Sequence, residues 1–278
     1  MIDAHFHCWQ LARGDYGWLT PSLAPIYRDV SVADWRAQAT GQGVRGGVLV
    51  QAAPTESETR FLLAQAEQNA DVLGVVGWVD WLAPDAAERV RALAAHARLK
   101  GLRPMLQDIA DAAWILQPGL QGPLAAMAAC GLVLDALVQP RHLAHVLTLA
   151  RRHPQLQIVI DHCAKPDIAS RQWQPWADDM ARLATETNAV CKLSGLLTEA
   201  GPQATPDTMA PWVRHVLDCF GPERLLWGSD WPVLELSGRG YADWLSATGG
   251  FLAGLTPAER AAVLGGNAAH IYRLKPDA

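Results

Sequence analysis

Eight short apolar runs, beginning near Ile2, Arg45, Leu73, Lys100, Leu132, Ile158, Val190 and Leu225, recur along the chain with helix-period segments between most of them. Runs such as residues 46–50 and 133–138 are almost continuously apolar, the pattern of parallel strands buried on both faces. The intervening segments carry start signals. Residues 55–58 read as a capping box ahead of Phe61 and Leu62, and Pro84 with Asp85 opens a helix whose Val90, Leu93 and Ala94 repeat at helical spacing. Segments 141–152, 175–185 and 211–220 read as further helices, each a short turn after a strand. Eight βα units in 278 residues predict an α/β fold, a (β/α)8 TIM barrel, rather than a doubly wound sheet. No G-x-G-x-x-G follows a strand. No linker rich in Pro, Gly or Ser divides the chain, so residues 1–278 are expected to form a single domain.

The formal charge is -5, from 23 basic and 28 acidic residues, with no basic cluster, which leaves out the footprint of a nucleic-acid or anionic-membrane binder. A small-molecule substrate is expected. The five cysteines are odd in number, scattered and never in a Cys-x-x-Cys pair, against a disulfide framework or structural zinc cluster. With no signal peptide or membrane-spanning stretch legible, a cytoplasmic protein is expected.

In such a barrel the chemistry gathers at the C-terminal ends of the strands and the loops after them. Capable side chains fall there: His5 and His7 on strand one, Gln51 ending strand two, Arg103 on strand four, Asp135 on strand five, His162 ending strand six, Lys192 and Ser194 on strand seven, and Asp230 ending strand eight. Strict alternation places Asp3, His5 and His7 on one face, and puts Ile158, Ile160 and His162 inward with Asp161 and Cys163 turned away. Arg103 and Lys192 either neutralise Asp135 and Asp230 or hold substrate. Trp9, Trp18, Trp114 and Trp231 fall in βα loops, and the long connection from Cys8 to Val30 is expected to roof the mouth with aromatic rings suited to a sugar's C–H faces.

The His-x-His pair, Gly-Leu-Arg-Pro-Met-Leu-Gln-Asp (101–108), Leu-Asp-Ala-Leu-Val-Gln-Pro-Arg-His-Leu (134–143), Ile-Asp-His-Cys-Ala-Lys-Pro (160–166), Cys-Lys-Leu-Ser-Gly-Leu (191–196), Gly-Ser-Asp-Trp-Pro-Val (228–233) and Gly-Asn-Ala-Ala-His-Ile-Tyr (266–272) together resemble the amidohydrolase superfamily. More narrowly the chain is similar to its amidohydrolase-related lactonases, which open sugar lactones such as L-fuconolactone and L-rhamnonolactone. The resemblance implies that His5, His7 and His162 polarise a carbonyl, alone or around one divalent ion, and that Asp230 takes a proton from the attacking water. His5, His7, His162 and Asp230 are then also the metal ligands. Zinc is the expected ion and at most one is expected, because Arg103 and Asp135 stand where two-metal relatives carry a bridging lysine and a histidine, and a guanidinium cannot become a carbamate. Gln51, Arg103, Asp135, Lys192, Trp114 and Trp231 are left as candidate substrate contacts. The alternatives within the same superfamily are a metal-dependent decarboxylase of an aromatic acid and a pyrone-dicarboxylate lactonase.

Overall fold

The computed structural model describes residues 1–275. Eight parallel strands, β1 Ile2–Phe6, β2 Gly46–Val50, β3 Val72–Gly77, β4 Leu99–Leu102, β5 Val133–Ala136, β6 Ile158–Ile160, β7 Val190–Leu193 and β8 Leu225–Trp227, pair in chain order. The ring closes beyond the formal end of β8, where Asp230 N donates to His5 O at 2.8 Å and His7 N to Trp231 O at 2.9 Å. The seam of the (β/α)8 barrel is therefore made by the backbone of the residues singled out for chemistry.

Around the sheet run helices α1 Val32–Ala39, α2 Glu56–Gln68, α3 Ala86–Ala94, α4 Gln121–Cys130, α5 Leu143–Arg152, α6 Trp176–Glu186, α7 Leu196–Ala200, α8 Pro206–Phe220, α9 Tyr241–Phe251, α10 Pro257–Ala261 and α11 Asn267–Ile271. Helix α8 starts earlier than the expected Pro211. Thr205 caps it through Thr208 N and Pro206 fills its first turn, while Pro211 sits inside, its missing bond falling opposite the exposed Asp207. The expected capping box on α2 is half made: Thr55 accepts from Glu58 N, but the Glu58 carboxylate turns away to Ala52 N and Ala53 N after β2.

Inside the barrel, Ala4, Val48, Val50, Val76, Val133, Val159, Val190 and Leu226 form one apolar cluster, closed at the strands' N-terminal end by Ala268, Tyr272 and Leu274. Two details of strand parity differ from strict alternation. Asp3 pairs with Gly47 but Phe6 with Leu49, so β1 carries one extra residue, a β-bulge that rotates the strand. Asp3 and Phe6 consequently both meet Trp35 of α1, by a 3.0 Å hydrogen bond and by ring stacking at 4.1 Å, while His5 and His7 turn inward. The expectation that Asp3 shares the histidines' face is thereby corrected. In β6, Val159 and not Ile158 or Ile160 faces the interior, so Asp161 follows it inward.

Candidate active site

His162 reaches the site by leaving β geometry. Residues His162, Cys163, Ala164 and Lys165 have φ of 53°, 51°, 60° and 49°, a left-handed turn that L-residues adopt only under tertiary constraint. Gly195, itself at φ 68°, leaves the room: a Cβ there would lie 2.7 Å from the His162 ring. Asp230 is likewise left-handed at φ 58°, a conformation Asp tolerates better than most residues.

These turns bring His5, His7, His162 and Asp230 together. The Nε2 atoms of His7, His5 and His162 lie 3.3, 3.6 and 3.7 Å from Asp230 Oδ1, and the Nε2 atoms of His5 and His7 are 3.2 Å apart. His7 Nδ1 is 2.8 Å from the Val50 carbonyl, which can only accept, so Nδ1 carries a proton and Nε2 is turned toward Asp230. His162 is oriented by Ser194, with Nδ1 2.8 Å from its Oγ. Burial holds the His162 imidazole down at about 4, and the His5 imidazole well below its ordinary value, with Lys192 adding to the burial effect, so both rings are neutral near pH 7. Burial pushes the Asp230 carboxyl up, but the His162, His7 and His5 rings outweigh it and keep the proton affinity well below the carboxylate range.

The donor set suits one ion. Tetrahedral zinc at about 2.0–2.1 Å from its ligands needs donor atoms roughly 3.3 Å apart, and the separations among His5, His7 and Asp230, at 3.2, 3.3 and 3.6 Å, bracket that value; His162 Nε2 stands 3.7 Å from Asp230 Oδ1. The neutral His5 and His162 rings and the ionised Asp230 carboxylate are also protonation states a metal requires.

Beneath the histidines lies a charged floor. Asp161, the residue alternation turned away, accepts from Arg103 Nη1 at 3.2 Å and forms an ion pair with Lys192 Nζ at 3.0 Å, and its carboxyl is held well below the usual range because Lys192 and His5 override the burial penalty. Lys192 also pairs with Asp135, which takes a hydrogen bond from Tyr272 at 2.9 Å. Lys192 Nζ lies 3.2 Å from His5 Nδ1.

Above the floor a cavity of about 270 Å³ opens, lined by His7, Arg103, His162 and Asp230, by Trp18, Met105 and Leu137 on its walls, and by Gln107, Lys165, Thr198 and Glu199 among its polar groups. His5 is fully buried behind them. The remaining candidates stand elsewhere. The Gln51 amide donates to Arg103 O at 2.8 Å and its side chain is shut off from the cavity. Asp135 and Lys192 are fully buried in the floor, consistent with their reading as mutual neutralisers and not as substrate contacts. Trp231 is 1 % exposed with its indole bonded to Glu235, and Trp9 is buried behind His7, so neither roofs the mouth. Trp114 lines a neighbouring, larger cleft instead. Sequence reasoning missed Lys165 and Glu199, whose Nζ and Oε1 are 4.0 Å apart in the cavity wall. Lys165 lay inside the 160–166 motif, whereas nothing in the sequence marks Glu199.

The amidohydrolase family profile matches residues 2–274. The chain is 47 % identical to the L-fucono-1,5-lactonase of Burkholderia ambifaria, over 98 % of this chain and 95 % of that protein. It is 36 % identical to the L-fucono-1,5-lactonase of Burkholderia multivorans, over 98 % and 96 %. A crystal structure of an amidohydrolase from Burkholderia multivorans with bound zinc superposes with a TM-score of 0.92 at 35 % identity, covering 99 % of both chains. With three histidines and an aspartate converging at the C-terminal mouth of its barrel, this chain belongs to the amidohydrolase family.

Proposed function

We propose that the chain is a lactonase that hydrolyses an aldono-1,5-lactone of the L-fucono type, with one zinc ion held by His5, His7, His162 and Asp230. The observation that carries the reading is the convergence of three imidazoles on one carboxylate at the base of a cavity sized for a single sugar ring. The relatives' printed names supply the sugar.

Opening the ring requires a proton taken from water as it adds to C1, stabilisation of the carbonyl oxygen, and a proton for the departing ring oxygen. Asp230 is the carboxylate placed to accept the water's proton. Its depressed proton affinity makes it a weak base toward unassisted water, so the carbonyl must be polarised at the same time. Zinc, when bound, supplies a Lewis acid for that oxygen. The protein's own part is to fix the imidazoles: Val50 and Ser194 orient His7 and His162, and the charged floor anchors His5. Asp230, once protonated, returns the proton to the ring oxygen as the C1–O bond breaks. The carboxylic acid produced releases its own proton to solvent, and the resulting carboxylate lies in the same cavity as Lys165, which offsets the charge accumulating near Asp230 and Glu199. Gln107, Thr198 and Glu199 offer the donors and acceptors that ring hydroxyls need.

A pyrone dicarboxylate or an aromatic acid fits less well. Arg103 is committed to Asp161 and the Gln51 carbonyl, and Lys165 faces Glu199, which leaves little cationic capacity for a dianion. No helix among the described residues is long and apolar enough to cross a membrane. The five cysteines are unpaired, which supports a reducing, cytoplasmic setting. A panel of aldonolactones, pyrone dicarboxylates and aromatic acids, followed by acid release and CO2 release, tests the reading: turnover of L-fucono-1,5-lactone is expected, and aromatic turnover with inert aldonolactones would overturn it.

A further inference from the structure

Beside the catalytic cavity lies a cleft of about 630 Å³, more than twice its volume, built by the loops that follow β1 to β4. Trp18 and Met105 line both spaces, so the cleft borders the place where the lactone ring would sit. Four indoles meet there: Trp18, Trp78, Trp81 and Trp114. Trp18 is fixed by donating Nε1 to the Ala52 carbonyl at 2.6 Å. Leu82, 52 % exposed, stands in its lining and leaves it open to solvent.

The cleft is not uniformly apolar. Trp81 is 2 % exposed, yet its Nε1–H has no partner among the described residues. Asp15 is held through Oδ2 by Arg13 at 2.7 Å and Thr55 at 3.0 Å, while its buried Oδ1 also lacks a partner. Asp80 and Asp108 add two further carboxylates to the lining. A buried donor and a buried acceptor without partners are costly unless something brought in from outside satisfies them. A purely hydrocarbon group would leave both unmet. A sugar ring presents C–H faces to indoles, a hydroxyl oxygen that accepts from Trp81, and a hydroxyl hydrogen that Asp15 accepts.

We infer that this cleft is a second sugar subsite, and that the enzyme opens lactones carrying a glycosyl substituent as well as the bare monosaccharide lactone. The inference rests on the lactonase reading of the neighbouring cavity. The chemistry is unchanged: water adds at C1, the C1–O bond of the lactone breaks, and the glycosidic bond to the second ring is left intact.

The test compares L-fucono-1,5-lactone with its 2-O-, 3-O- and 4-O-glucosyl derivatives in the wild-type enzyme and in Trp81→Phe and Trp114→Ala. One glycosylated isomer is expected to exceed the bare lactone in kcat/KM by about tenfold, and each variant to reduce that preference about tenfold. Quenching of tryptophan fluorescence by the corresponding glycosylated acids reads the cleft whether or not any lactone is opened. Saturable quenching, weakened in Trp81→Phe, is expected. Turnover of the bare lactone with every glycosylated isomer at least tenfold poorer, or no saturable quenching, would overturn the subsite. Failure of the bare lactone with quenching retained would instead overturn the lactonase reading and leave the sugar site standing.

Discussion

Asp230 combines two demands that few residues meet: a left-handed backbone and an ionised side chain facing three imidazoles. Asn tolerates the same backbone region, so Asp230→Asn removes the charge without adding backbone strain. We expect kcat to fall by roughly a thousandfold while the fold is retained and product acid still binds; steady-state kinetics with a product-binding titration checks this, and a kcat within tenfold of the parent would remove Asp230 from the mechanism. Glu58 is a second buried carboxylate, with a different task. Burial pushes it up to about 7 despite the Ala53 and Ala52 N–H groups that favour its charged form. A folded-state value above the unfolded one means that the folded protein binds the extra proton. The corresponding stability is complete below about pH 4.5 and is lost as pH rises through about 7. Over that window the loss is about 3 kcal/mol. Urea unfolding at pH 5 and pH 8 should show this slope in the parent and not in Glu58→Gln; parallel pH dependence in both proteins would show that Glu58 does not titrate there.

At the level of elements, the site depends on three local departures from regular geometry: the bulge in β1, the left-handed turn after β6, and Gly195 at the start of α7. Gly195→Ala tests the last two together. Its new Cβ would meet the His162 ring and sit in a positive-φ backbone, and such a backbone costs an L-residue about 1–2 kcal/mol. Because His162 must move, kcat is expected to fall more than tenfold, beyond what the stability loss explains. Thermal unfolding and kinetics on the same preparation decide it, and full activity in a destabilised protein would mean that His162 has no exacting position to keep. These departures also mark where the sequence stopped being legible. All eight strands could be read because burial on both faces writes a continuous apolar run, although strands one, six and eight end at Phe6, Ile160 and Trp227, short of His7, His162 and Asp230. Parity could not be read, since one extra residue between Asp3 and Phe6 leaves no mark in composition. Asp161 was turned outward for the same reason: period-two reasoning continued past Ile160, where the strand had ended. The loop tryptophans misled because an indole serves equally as core or as wall; Trp9 and Trp231 are core, and Trp18 is wall.

Across the whole molecule, the barrel interior is stacked in layers. An apolar plug ending in Tyr272 and Leu274 supports a floor of Asp135, Asp161, Arg103 and Lys192, and above that floor sit the histidines, Asp230 and the cavity. The floor balances, with two carboxylates against two cations. Truncating one member leaves a buried charge unpaired, so Lys192→Met should lower stability by roughly 3–5 kcal/mol, read by denaturant unfolding; a cost below about 1 kcal/mol would show that the floor is not held by charge pairing. Asp230 stands outside this balance, with His5 and His162 neutral beside it near pH 7. Its carboxylate gives the His5, His7, His162 and Asp230 cage one formal negative charge, which would favour a cation there. The same reasoning limits the number. His5, Asp161 and His162 form a second cluster of potential ligands, but Asp161 already holds Arg103 and Lys192 within 3.2 Å, and a further divalent ion would have to compete with both. Elemental analysis of exhaustively dialysed protein is therefore expected to find one zinc per chain, and Asp230→Asn, which discharges the cage, to find well under one. Two tightly held ions per chain would show that the floor does not exclude a second site, and undiminished zinc in Asp230→Asn would show that the unbalanced charge is not what draws the metal in.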